Sequence, residues 1–293
     1  MKILPSRSEF LRARGLRHHV RCWPAQARAD DPRPLVFLLH GWGDVSATFA
    51  PLVAPLAERF RVLAPDFRGF GLSQWPPDGY WFADYVADFE ALADHYSPHS
   101  PILLVGHSMG AQVASLYAGL RPARVRKLVL LDGLGLPDMP PERAPARFRG
   151  WLDQLRAPPQ QKFYASFAEL AARIRHRHPR LSAEAAEFVA RCWGREDRDG
   201  RIALCADPRH RLDMPGLYRL AEAEAIWKEV SAPTLFIDGG ASALAARVPA
   251  AQRAKTRACF RDRREILIED AGHMLHFDAP EATARAIAAF LSE

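Results

Sequence analysis

Ile102-Leu103-Leu104-Val105-Gly106-His107-Ser108-Met109-Gly110-Ala111 is the stretch on which the reading of the chain turns. Its first four residues form a short apolar run, the pattern of a strand covered on both faces, and residues 109–120 read as a helix. Between strand and helix lies a G-x-S-x-G pentapeptide, Gly106 to Gly110. A serine on so tight a turn needs glycine on both sides, because a side chain there would collide with the neighbouring strand or helix, and the turn thrusts the hydroxyl out above the sheet. The helix N-terminus then lies beneath it, so the Met109 N–H can stabilise a developing oxyanion. Ser108 is therefore a candidate nucleophile. No Asp, Glu, Lys or Arg occurs from Ser97 to Leu120, a charge-free run as long as a membrane span, but the glycine-flanked turn interrupts it and a strand-turn-helix reading accounts for it.

Before this stretch the sequence predicts a hairpin over 9–14 and 16–23 about Gly15, then a Pro-bounded apolar strand over 35–39. Helix and strand alternate from there: helix 48–59, strand 61–64, helix 82–95, strand 102–105, helix 109–120 and strand 125–131. After Asp132 the rhythm stops in a stretch rich in Arg, Pro and Ala, with helical candidates at 160–176 and 183–193. It resumes with strand 234–237, helix 248–259, strand 265–268 and an amphipathic helix at 280–291. The expectation is one α/β core, residues 1–132 and 231–293, interrupted by a helical cap at 133–230.

An acyl-transfer serine needs a base, and His273 in Asp270-Ala271-Gly272-His273-Met274 follows the last strand. His276 is the competitor, expected instead to pack in the first turn of a helix. Among the other histidines, His18, His19, His176, His178 and His210 lack partners at metal-ligand spacing and read as surface or cap residues. A second oxyanion donor is expected from His40-Gly41-Trp42-Gly43, where Gly41 lets the backbone turn the Trp42 N–H toward the site. The Trp42 indole and His107 are candidate substrate contacts.

Taken together in order, His40-Gly41-Trp42-Gly43, then Pro65-Asp66-Phe67-Arg68-Gly69-Phe70-Gly71-Leu72-Ser73, then the Ser108 turn and Gly272-His273 resemble the α/β-hydrolase-fold serine hydrolases of the esterase and lipase type, over nearly the whole length. The resemblance implies a mostly parallel eight-stranded sheet with helices on both faces. It also implies that Asp66 and Ser73 belong to a structural turn. The chain departs from the family's commonest pattern at Gly239-Gly240-Ala241-Ser242, where a serine occupies the usual place of the triad acid. Asp132, at the end of strand 125–131 beside the nucleophile strand, is the expected replacement, because α/β sites gather at the carboxyl ends of strands. Asp238 is the alternative. Haloalkane dehalogenases and epoxide hydrolases of this fold place Asp at the turn, so Ser108 argues against both.

The function expected is hydrolysis of a small-molecule ester or thioester with a hydrophobic acyl group, without metal or organic cofactor. A receptor-type member that only binds ligand, or an acyltransferase, is the alternative. Trp151, Phe163, Tyr164, Phe167, Phe188, Trp193, Tyr218 and Trp227 are available to roof a pocket, although at least half are expected to form the cap's own core. Cap bases and acids balance closely enough that composition demands no anionic substrate.

Composition is that of a globular protein: 293 residues, 48% hydrophobic and 25% charged. The net charge of +6 is matched by the segment 247–264 alone, which holds seven basic side chains and one acid and reads as a solvated helix face. No nucleic-acid-binding signature accompanies it. Cys22, Cys192, Cys205 and Cys259 show no metal or redox spacing and read as reduced. The first residues lack the apolar run of a signal peptide, which favours the cytoplasm, and the oligomeric state is not encoded in any pattern found.

Overall fold

The computed structural model describes residues 3–26, 31–134, 136–244 and 247–293; the first two residues of the N-terminal stretch read above for a leader lie outside them. In chain order the strands are β1 (Arg7–Ala13), β2 (Leu16–Trp23), β3 (Leu35–Leu39), β4 (Arg61–Pro65), β5 (Ile102–His107), β6 (Val125–Leu131), β7 (Phe163–Tyr164), β8 (Gly194–Glu196), β9 (Ile202–Leu204), β10 (Thr234–Gly239) and β11 (Arg263–Ile268). The helices are α1 (Ala50–Ala57), α2 (Phe82–Tyr96), α3 (Met109–Leu120), α4 (Ala144–Arg156), α5 (Phe167–Arg177), α6 (Ala183–Trp193), α7 (Leu220–Trp227), α8 (Ala250–Ala258), α9 (Leu275–Asp278) and α10 (Pro280–Ser292).

Eight strands form one sheet in the order β1-β2-β4-β3-β5-β6-β10-β11. The β1–β2 and β2–β4 pairs are antiparallel, and from β4 to β11 every pairing is parallel. This is the α/β hydrolase fold expected from the sequence. The parallel strands read as continuous apolar runs because both faces are covered: Phe37, Leu39, Leu104 and Leu130 pack under α2 and α3, while Val36, Leu38, Val105, Val129 and Leu131 pack under α1 and α10. All nine of those side chains are buried.

Between β6 and β10 the chain builds α4, α5, α6 and a small antiparallel sheet, β7-β9-β8, which the sequence reading missed because two- and three-residue strands carry no periodicity. The candidate helix at 160–176 is correspondingly shorter, beginning at Phe167 behind an N-cap in which Ser166 accepts from the Glu169 N–H. Two further helices, α4 and α7, also escaped that reading. α7 lies on α3, with Trp227 fully buried and its Nε1 donating to Ser115 Oγ at 2.9 Å, so these residues contribute to the main core. Leu170, Ile174, Val189 and Ile202 form a separate apolar cluster above the sheet. Trp193 ties it to the main body by donating from Nε1 to Asp44 Oδ1 at 2.7 Å. Among the described residues no helix is long and apolar enough to cross a membrane.

Candidate active site

Ser108 occupies the turn between β5 and α3 with φ 51° and ψ −114°, a left-handed conformation that costs a residue with a Cβ about 1–3 kcal/mol. The flanking glycines make it possible. A Cβ on Gly106 would lie 2.3 Å from the Gly110 carbonyl oxygen, and one on Gly110 would lie 2.1 Å from the Leu39 carbonyl oxygen. Strand, turn and helix are therefore pressed together as tightly as backbone permits, which leaves the serine no direction but outward. Ser108 N–H donates to the Leu131 carbonyl at 3.0 Å, fixing the turn to the adjacent strand.

His273 follows β11 and brings Nε2 to 3.0 Å from Ser108 Oγ. Its other nitrogen, Nδ1, lies 2.6 Å from Asp132 Oδ2. Asp132 is 3% exposed and also holds a left-handed conformation, φ 41°, at the carboxyl end of β6. Its main-chain N–H donates to the Ile237 carbonyl at 2.9 Å, so the residue is gripped between two strands. Ser242, standing where the family's acid is usual, turns its hydroxyl onto Asp132 Oδ2 at 2.5 Å. Asp132 thus stands one strand over from Ser242, which donates a hydrogen bond to it.

The alternative acid, Asp238, is placed elsewhere. It forms an ion pair with Arg257, which also pairs with Glu265. Burial raises the Asp238 carboxyl above its ordinary value, and Arg257 offsets part of that rise.

The loop after β3 abuts Ser108: a Cβ on Gly41 would meet Ser108 Cβ at 3.1 Å and His107 Nδ1 at 3.0 Å. Trp42 is 57% exposed and lines the cavity above Ser108. Met109 is the first residue of α3, whose leading N–H groups have no intrahelical acceptor. His107 lines the cavity but is 1% exposed and uses Nε2 on the His273 carbonyl at 2.8 Å, so it supports the histidine loop from beneath. Burial, followed by the neighbouring His276 and His273, lowers its basicity well below the ordinary imidazole value, so it is neutral at pH 7.

His276 packs within α9, as expected for the competitor, and is completely buried with Nε2 3.0 Å from Asp44 Oδ2. Burial alone would raise the Asp44 carboxyl, but the hydrogen bond and charge of His276, with the bond from Trp193, hold it below the usual carboxylate range. Among the described residues, Asp44, His107 and His276 form the one group whose spacing could suit a metal ion. All are sealed from solvent, and two of the three are already engaged with each other, so the set fits a structural knot better than a metal centre. Asp44 was not singled out in the sequence, because its partner His276 lies 232 residues away.

Two of the histidines read as surface or cap residues are core residues instead. His18 is 1% exposed; His19 is fully buried and carries Nδ1 at 2.7 Å from Asp66 Oδ2. Asp66 also accepts the Ser46 N–H at 2.7 Å and the Leu72 N–H at 2.9 Å, which closes the 66–73 turn.

The cavity over Ser108 has a volume of about 530 Å³, within the range that holds a small organic ligand. Its floor is Ser108, His273 and the Gly41–Gly43 loop; its walls include Tyr164, Leu170, Ile174, Trp193 and Leu204 from the segment between β6 and β10. Of the eight aromatics expected as a roof, only Tyr164 and Trp193 line it, Trp227 having gone to the core.

Residues 34–280 match the family model of the α/β hydrolase fold. The chain therefore belongs to the α/β hydrolase fold family, and membership supports an enzyme with hydrolytic activity. It is 29% identical over 267 residues to a serine hydrolase-like protein of Danio rerio, covering 87% of this chain and 81% of that one. It is 29% identical over 258 residues to 2-(acetamidomethylene)succinate hydrolase of Mesorhizobium japonicum, covering 88% of each. Among solved structures, the thioesterase domain from the curacin biosynthetic pathway superposes with a TM-score of 0.83 at 26% identity, covering 97% of this chain and 99% of that one.

Proposed function

We propose that the protein is a serine hydrolase that cleaves a carboxylic ester or thioester through an acyl-enzyme. The observation that carries this reading is the unbroken hydrogen-bonded series Ser108–His273–Asp132 at the floor of the cavity. In the proposed reaction, Ser108 Oγ attacks the acyl carbonyl carbon as His273 Nε2 takes its proton. Asp132, accepting from Nδ1, holds the imidazole in the tautomer whose Nε2 is free to act as base. The negative charge gathered on the carbonyl oxygen meets the Met109 and Trp42 N–H groups, an arrangement in which losing one donor costs about 10² to 10³ in rate. His273 returns its proton to the departing alcohol or thiol. A water molecule then enters and attacks the acyl carbon as it loses a proton to His273; the acyl–Oγ bond breaks, His273 returns that proton to Ser108 Oγ, and the acid is released. Residues 133–230 serve as the cap over this site, with Tyr164 and Trp193 against the acyl group. The apolar wall from Leu170, Ile174 and Leu204 supports a substrate with a hydrocarbon portion.

The test is covalent labelling by a fluorophosphonate followed by intact mass. The wild-type protein is expected to gain one adduct, placed on Ser108 by peptide mapping. Absence of labelling, or an adduct on another residue, would overturn the reading.

A further inference from the structure

The cationic side chains of the cavity wall are out of proportion to its acids. Lys162, Arg173, Arg177 and Arg211 all line it, and among the described residues none of the four has a carboxylate partner. Arg173 and Arg177 lie one turn apart on α5, on the same face as Leu170 and Ile174, the two apolar residues through which that helix meets the cavity. Two like charges at this spacing repel, and a helix gains nothing from them unless an anion lies between or beneath. Arg211 approaches from the 3-10 turn at Pro208–Arg211, and Lys162 from the residue before β7, so three separate segments bring positive charge to one opening.

The acid of the wall and the acid of α5 are already engaged. Asp207, the carboxylate of the wall, accepts from Tyr80 Oη at 2.9 Å and from Arg209 Nε at 2.9 Å. Glu169 on α5 turns back to accept the Ala165 N–H at 2.6 Å. His178 and His210 also line the cavity; burial lowers both below the ordinary imidazole value, His210 to about 3, so neither adds or removes charge at pH 7. The balance of bases and acids read from composition is therefore misleading, because it averages over the segment what the fold sorts to one side.

We propose that the substrate of Ser108 carries an oxyanion, a carboxylate or phosphate, a few bonds from the scissile carbonyl, and that Arg173 and Arg177 hold it with Lys162 and Arg211 adding to the field. This rests on the hydrolase reading above and names its substrate class. Guanidinium forks match carboxylate and phosphate oxygens in pairs, so the two arginines supply geometry as well as charge. The apolar wall then packs the hydrocarbon between anion and carbonyl.

Two experiments on the full chain test this, each in wild type and in the Arg173→Gln/Arg177→Gln double variant, whose exposed positions leave folding intact. The first compares kcat/KM for 4-nitrophenyl pentanoate with that for the 4-nitrophenyl monoester of glutarate, and for methyl 4-acetoxybenzoate with 4-acetoxybenzoate, so that the anion lies on the acyl side or the leaving-group side. In one arm the charged-to-neutral ratio is expected to fall at least tenfold in the variant and in 0.5 M NaCl, the neutral rate staying within twofold. The second measures binding of glutarate and of inorganic phosphate by calorimetry, which needs no turnover. Binding weakened at least tenfold in the variant supports the anion site even where the fluorophosphonate fails to label, which would sink the hydrolase reading alone. Unchanged ratios in both arms, together with absent or variant-independent binding of both probes, would overturn the proposal.

Discussion

Two hydrogen-bonded Ser–His–Asp series run through this molecule, with nearly the same distances and quite different surroundings. In one, Ser108 Oγ lies 3.0 Å from His273 Nε2, and His273 Nδ1 lies 2.6 Å from Asp132 Oδ2. In the other, Ser8 Oγ lies 2.9 Å from His19 Nε2, and His19 Nδ1 lies 2.7 Å from Asp66 Oδ2. Ser8 sits in the regular edge strand β1, paired with Arg21 of β2, and is not among the positive-φ residues. Ser108 sits at positive φ over α3 and opens on a cavity. Asp66 is committed to closing a turn, whereas Asp132 serves the histidine with Ser242 behind it. Under the proposed role, distances alone do not make a nucleophile; the strained turn, the free N–H groups and the space for a substrate do.

The sharpest way to break this contrast is Ser108→Ala. Under the proposed role, ester turnover falls by about 10⁴-fold or more, with the fold intact by circular dichroism. Residual activity within about tenfold of wild type would mean that another group, Ser8 included, can carry the attack.

Asp132→Asn comes next, with an expected loss of about 10⁴ in kcat from the lost tautomer control. Because Ser242 Oγ already touches Asp132 Oδ2, a carboxylate at 242 can reach the same histidine. Adding Ser242→Asp to Asp132→Asn is therefore expected to recover about tenfold or more. In the wild-type background Ser242→Asp should lower activity instead, since two carboxylates in contact cannot both ionise freely. Steady-state kinetics on the four proteins decides whether the acid can return to its usual strand.

The Ser108 site was legible in the sequence because its demands are local. A tight strand-to-helix turn writes glycines at fixed offsets, and Gly41, Ser108 and His273 each fall at the end of an apolar run. Asp132 could be named only through the absence of an acid at Ser242 and the adjacency of strands, which is already a tertiary argument. Asp44 and His19 were out of reach: their partners, His276 and Asp66, are set by packing across the sheet, and nothing in their local pattern marks them. The walls of the cavity were harder still. Arg173 and Arg177 look like any solvated helical pair until the fold sets them at the rim of the cavity, and the strands β7 to β9 are too short to leave a period.

A smaller effect is expected at Asp66, on stability rather than on rate. Burial alone would raise this carboxyl, but His19 and the bonds to its oxygens hold it at about 2. A carboxyl depressed in the folded state contributes stability in full above its unfolded value of about 4 and loses it as pH falls toward 2. Asp66→Asn should thus cost about 3 kcal/mol at pH 7 by breaking a buried pair, with kcat per folded molecule unchanged. In urea titrations the gap between wild type and variant should close between about pH 4 and pH 2. A gap independent of pH would mean that Asp66 acts through shape alone.

The smallest effect separates the two serines most cleanly. Ser8 is exposed, so water can replace its hydroxyl at His19 Nε2, and a hydrogen bond exchanged for one to water is worth about 1 kcal/mol or less. Ser8→Ala is expected to leave the fluorophosphonate labelling rate within twofold of wild type and the thermal midpoint within a few degrees. A histidine-activated serine without a strained turn, without oxyanion donors and without a cavity should be as inert as any surface hydroxyl. A slowed reaction at Ser108 would show that the edge hairpin is coupled to the site through Asp66 and the Ser46 N–H, and the contrast drawn between the two series would have to be given up.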